Sequence, residues 1–372
     1  MAKSRIGILD GFRAIAILSV IFFHYFSRWA PPHYKLSLYP YNNQYDFFRY
    51  GKLGVEFFFI ISGFVISYTL ENTSHLKLFW KKRLIRLWPS IIVATFITFI
   101  FFNLFDPNFL FPESHYARNF LPSFTFVIPD FFNTVFSKPQ YFNYINGVYW
   151  SLWPEIQFYM LVSLLYYYNK EKFLRNFMVI SVPFILLYFL FFNIMGSNRL
   201  NIHVSYSIMS FYRKWFLDIF NLFYYLPAFA VGVFVYQLFK YKKNNIALPL
   251  FIKVSLGVLF VCFVYSGLNM GERIIYIFMF LLFLCFVYFP HTLSFLENKL
   301  ILRIGVASYF LYLIHENIAI LIIHSFGQYF SPFYFILPLL LICLMIFISI
   351  LYTEHIDKRV TAYLKRIFLS KE

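Results

Sequence analysis

The sequence predicts an all-α fold: a polytopic integral membrane helical bundle of about ten transmembrane helices, with both termini in the cytoplasm. Three observations carry this. Hydrophobic types make up 61% of the 372 residues and charged types only 13%. Soluble globular domains have about 45–50% and about 25%, so a soluble fold of this size could not cover its own surface. Apolar runs of about 20 residues, enough to cross a bilayer core, recur along the chain. The Lys and Arg residues between the runs alternate in density, as the positive-inside rule requires. A soluble enzyme, a disordered tail protein and a disulfide scaffold are thereby excluded.

In order, the runs are about 7–27, 52–70, 84–104, 149–168, 177–195, 217–239, 250–267, 272–289, 304–325 and 333–353. The first follows Lys3 and Arg5 and reaches Phe26 with no small-residue cleavage site, so it reads as a spanning helix and not a signal peptide. With an inner N-terminus, the inner side collects Lys77, Lys81, Lys82, Arg83, Arg86, Lys170, Lys240, Lys242, Lys299, Arg303 and the basic end up to Lys371. The outer side holds about half as many cations, among them Arg28, Lys35, Arg49, Arg118, Lys138, Arg199 and Arg213. The net charge of +16 thus reflects topology and gives no reason to invoke nucleic acid. Segment 105–148, with Pro107, Pro112, Pro122, Pro129, Pro139 and many aromatics, is expected to form an irregular but packed cover on the outer side. Residues 1–353 read as one integral membrane domain. Residues 354–372 read as a short basic cytoplasmic tail lying on the inner leaflet. Cys262, Cys285 and Cys343 sit inside apolar runs at spacings that fit neither zinc nor a redox pair.

Charges inside spans are costly and mark candidate sites. The first run, LDGFRAIAILSVIFFH, carries Asp10, Arg13 and His24. Arg13 and His24 share a helix face, about 20° apart in angle and about 16 Å apart along the axis. Asp10 is placed to hold Arg13 as an i,i+3 pair. The bland alternative is that Arg13 snorkels and His24 is a satisfied core histidine. In GKLGVEFFFIISGFVIS the charge is Glu56, for which pairing with Arg13 or Arg49 is the simpler role. In FWKKRLIRLWP, Arg83 and Arg86 project from one side of a helix start, a fork suited to phosphate groups, although basic residues there also anchor topology. Pro154 and Glu155 open the fourth run, where a freed backbone and a buried carboxylate suggest a cavity. The ninth run holds Ser308, Tyr309, Tyr312, His315 and Glu316. It is no HExxH zinc site, because position 319 is Ala319. No P-loop, dinucleotide loop or GxSxG elbow is present, so an ATP-driven pump or a soluble-type hydrolase has no support.

These motifs together resemble the acyltransferase 3 family of multipass membrane acyltransferases, over about residues 5–325. The resemblance rests on LDGFRAIAIL leading to His24 (the family's Arg-ten-residues-His element), GVEFFFIISGFVIS, the Arg-x-x-Arg element at Arg83 and Arg86, WSLWPEIQFY in place of WSLSVEEQFY, and SYFLYLIHENI in place of SYSLYLWHWP. Ile156 stands where the family often has a second Glu. Glu316 replaces an aromatic, so no family role carries over to it. The chain looks like the stand-alone form, without the extracytoplasmic hydrolase-like domain many members carry.

The resemblance implies an O-acetyltransferase of the bacterial cytoplasmic membrane. It implies no tightly bound cofactor and no metal, acetyl-CoA or another acyl-CoA as donor, and a saccharide acceptor. Arg13, Arg83 and Arg86 are then candidate donor-binding residues. A neutral His24 is the candidate general base for an acceptor hydroxyl, an effect worth about 10²–10⁴-fold, with a covalent acyl-His intermediate as the alternative. Glu155 or Glu56 would orient it, with Asp10 and His315 supporting. A transporter or flippase is the competing class. It explains the inner Arg pair less well, because transport sites lie near the midplane. A polyprenyl-phosphate glycosyltransferase ranks last, since loop 28–51 has only Asp46 as an acid.

Overall fold

A computed structural model describes residues 6–28, 45–197 and 205–369. Lys3, Arg5, Lys35, Arg199 and Lys371 of the topology argument lie outside the described residues. Among the described residues there are helices and no strands, as expected where every backbone group must be satisfied without water. The main helices are α1 (Gly7–Phe26), α2 (Gly54–Glu71), α3 (Leu76–Phe105), α4 (Leu152–Tyr168), α5 (Phe173–Ser197), α6 (Leu222–Lys243), α7 (Leu250–Tyr265), α8 (Met270–Tyr288), α9 (Lys299–Ile314), α10 (Glu316–Phe326), α11 (Ile336–Tyr352) and α12 (Lys358–Leu369).

Ten spans were expected. Among the described residues seven helices are long and apolar enough to cross a membrane, or eight if the bent pair α9–α10 is one span. The other two runs form the shorter helices α4, of 17 residues, and α7, of 16. The outward faces are apolar in the way a lipid-facing surface requires: Val254, Val258 and Val261 of α7, Ile274, Phe278 and Leu281 of α8, and Leu340, Leu344 and Phe347 of α11 are exposed.

The chain divides into two compact units. The first comprises Met1–Val55, Trp80–Trp150 and Leu293–Glu372, and the second Glu56–Phe79 and Ser151–Thr292. In the first unit α1 is deeply buried and packs along α9. Any side chain at Gly305 would run into the carbonyl of Asp10, so the glycine sets how closely the two helices approach. Segment 106–150 belongs to this unit and is irregular but packed, as expected. The buried carboxylate of Asp106 accepts from Leu110 N (2.9 Å), Phe111 N (2.9 Å) and the His115 ring (3.1 Å). Asn133 pairs in both directions with the backbone of Phe142. The basic tail continues α11 through a wide turn, Thr353–Asp357, into α12, which has no buried residue. Ser90 on α3 donates to Asp357 (3.1 Å), and Lys81 donates to the Phe368 carbonyl (3.2 Å).

The second unit is built around α6, most of which is buried. Gly63 of α2 meets Gly232 of α6, and a Cβ on either would strike the other helix's backbone. Such contacts drive helix association where lipid is as apolar as protein. Phe229 stacks against Phe59 and Phe158. At the basic end of α6, Glu71 takes Lys240 and the Tyr236 hydroxyl, each at 2.8 Å.

Candidate functional site

The site is assembled in the first unit, where the C-terminal half of α1 meets the junction of α9 and α10. These two helices meet at a 68° bend. Neither Pro nor Gly marks it in the sequence, so the bend depends on what happens to the carbonyls it frees. Two of them find side-chain donors, and a third donor reaches the carbonyl that opens α10. His315 Nδ1 donates to Tyr312 O at 2.8 Å, Asn146 Nδ2 donates to Leu313 O at 3.2 Å, and Tyr25 Oη donates to His315 O at 2.8 Å. Only one of these donors is local. Tyr25 comes from α1, and Asn146 from the end of the irregular segment. Two further bonds hold that segment on the bend: Tyr312 Oη to Val148 O (3.0 Å) and Asn317 Nδ2 to Ser114 Oγ (3.2 Å).

His24 lies one position before Tyr25 and is buried at 6% exposure. Its Nδ1 is 2.9 Å from Glu316 Oε1, and both side chains are nearly enclosed. The two atoms approach closely without the alignment of a strong hydrogen bond. The His24 and His315 rings meet edge-on, with centroids 5.2 Å apart. A carbonyl only accepts, so His315 Nδ1 carries the proton. Its Nε2 is then a lone pair, fully buried and without a hydrogen-bond partner among the described residues. Gly147 passes beside the carboxylate, where a Cβ would sit 3.3 Å from Glu316 Oε2. The result is two imidazoles and one carboxylate buried together, a set able to hold and move a proton.

The other expected residues fall as follows. Arg13 and Asp10 form the i,i+3 pair at 2.6 Å, with Asp10 almost fully buried. Arg83 and Arg86 both lie near the start of α3, but they do not present equally: Arg83 is buried and Arg86 exposed. Arg86 and Asp357 are close enough to interact electrostatically. Glu155 lies in the second unit, on α4, where its Oε1 accepts from Ser62 (2.8 Å) and from Tyr159. Glu56 begins the second unit on α2. Within the first unit the carboxylate at His24 is Glu316. Sequence reasoning passed over Glu316 because it stands where the resemblance gives an aromatic. The available signal was its place next to His315 inside an apolar run, itself a costly position for a charge.

Fold and site together define a multipass, all-helical membrane protein with a buried histidine–carboxylate centre. The sequence profile of the acyltransferase domain matches residues 6–354, and the chain belongs to that family. It is 26% identical over 370 residues to the O-acetyltransferase OatA of Staphylococcus aureus, covering 93% of this chain and 56% of the relative. It is 30% identical over 164 residues to the putative peptidoglycan O-acetyltransferase YrhL of Bacillus subtilis, covering 41% of this chain and 22% of the relative. It is 29% identical over 164 residues to the peptidoglycan O-acetyltransferase OatA of Listeria monocytogenes, covering 41% and 23%. The chain thus spans little more than half the length of the first of these relatives and about a quarter of the other two. No solved structure matches it.

Proposed function

We propose that the chain is an O-acetyltransferase of the bacterial cytoplasmic membrane. It moves an acetyl group from cytoplasmic acetyl-CoA to a hydroxyl of a cell-wall polysaccharide or its lipid-linked precursor. The observation that carries this reading is the buried His24–Glu316 pair at 2.9 Å, within a chain of the acyltransferase family. The names of the relatives support peptidoglycan as the acceptor. A sugar hydroxyl is too weak an acid to attack a thioester unaided. His24 takes its proton as the oxygen attacks the thioester carbonyl, the new C–O bond forms, the C–S bond breaks, and the thiolate of CoA leaves. Arg83 and Arg86 near the start of α3, with Arg13 on α1, are the residues proposed to receive the donor phosphates.

A broken helix at membrane depth is also a feature of transporters, whose unwound carbonyls coordinate the cargo ion. Here the Tyr312, Leu313 and His315 carbonyls are taken by the protein's own side chains, which favours the transferase. The test is donor chemistry. The purified protein in proteoliposomes is given acetyl-CoA labelled in the acetyl group and glycan strands released from peptidoglycan. Label in the glycan, with thermal stabilisation by acetyl-CoA and none by a sugar nucleotide, is expected. Stabilisation by the sugar nucleotide alone, or no transfer, refutes the proposal.

A further inference from the structure

We propose that Glu316 is the positioning residue for His24: its carboxylate holds the Nδ1 proton of the imidazole, leaving Nε2 as the atom that takes the proton of the attacking hydroxyl. This deepens the reading above and rests on it.

The acids of the candidate set have different surroundings. Asp10 is bound to Arg13 at 2.6 Å. Glu155 accepts from Ser62 and Tyr159. Among the described residues of the first unit, Glu316 is the acid within 4 Å of His24. An imidazole beside a carboxylate keeps its proton on the facing nitrogen and stabilises the imidazolium when the other nitrogen accepts a second proton. In an enclosed site this attraction is far stronger than in water. The carboxylate is supplied by the residue that follows the helix bend, so the bend fixes its direction. Gly147, having no side chain, leaves room beside its second oxygen. The groups facing the pair are His315, whose Nδ1 proton is committed to Tyr312 O, Tyr25 through the His315 carbonyl, and Arg28, within electrostatic reach of Glu316. None of them offers a second anion to hold the imidazole.

The experiment is a double-mutant cycle on the full chain in proteoliposomes, with labelled acetyl-CoA as donor and peptidoglycan glycan strands as acceptor. Glu316→Gln keeps the shape and an acceptor oxygen but removes the charge. We expect kcat to fall about ten- to a hundredfold with KM for acetyl-CoA unchanged, an effect on the chemical step and not on donor binding. In a His24→Asn background the same substitution should cost nothing further, since its only route of action has gone. Glu316→Asp, which keeps the charge, should lose less than Gln. If Gln does not fold, Asp runs the same cycle alone, with a loss expected in the native background and none beside His24→Asn. Equal losses in both backgrounds, or a loss confined to KM, overturn the positioning role and leave the acetyltransferase reading intact. A fully active His24→Asn protein overturns His24 as base, and with it this proposal.

Discussion

The bend between α9 and α10 can be tested one hydroxyl at a time. Tyr25→Phe removes only the oxygen that donates to the His315 carbonyl (2.8 Å), and Tyr25 is fully buried, so nothing else changes shape. The carbonyl left behind still accepts the first bond of α10, so the loss is that of one net hydrogen bond, about 0.5–1.5 kcal/mol. Asn146→Leu is nearly isosteric, orphans the buried Leu313 carbonyl and removes an acceptor of Val148 N, for about 1–3 kcal/mol. The double variant should lose about 1.5–4.5 kcal/mol in all, unless the bend straightens and recovers helical bonds, which would appear as a smaller sum. Ser19→Ala on the same helix is the control. Its hydroxyl bonds to the Ile15 carbonyl (2.9 Å), which the helix already uses, so its removal should be near neutral. The assay is reversible unfolding in mixed micelles with increasing denaturing detergent, followed by transfer activity, because a shifted bend also moves His315 and Glu316. If Tyr25→Phe and the double variant unfold where the native protein does, these side chains do not stabilise the bend and the reasoning is refuted.

Three further outcomes are expected. His24→Asn should lower acetyl transfer by at least about 10² while acetyl-CoA binding and expression survive; an active variant would remove His24 from the chemistry. Arg83→Ala and Arg86→Ala should each weaken acetyl-CoA binding by roughly ten- to a hundredfold, the cost of a charge-assisted contact of about 1.5–3 kcal/mol. Unchanged binding in both would reduce the pair to topological anchors. Single cysteines placed in segment 106–148 should label from outside the cell, and a cysteine beside Lys242 only after permeabilisation. Labelling of both from one side would refute the arrangement of the spans.

The sequence by itself determined what depends on neighbours along the chain. A membrane protein was legible from composition, because the apolar length that crosses a bilayer is a local property. The Asp10–Arg13 pair was legible too, because three residues make nearly one turn of any helix. The Arg-x-x-Arg spacing put two cations about one turn apart on α3, as any helix does. It could not say that Arg83 would be buried and Arg86 exposed, since burial depends on what packs against α3. Only the tertiary structure decided the centre of the site. His24 and Glu316 stand near opposite ends of the chain, and no periodicity links them. The span predicted over 304–325 reads as one continuous apolar helix, and nothing in its residues breaks it. It bends at His315, where Tyr25 from α1 and Asn146 from the irregular segment arrive to donate to the carbonyls at the bend. That bend turns Glu316 from an unexplained charge in an apolar run into the carboxylate at His24, because a buried charge goes where the fold provides its partner.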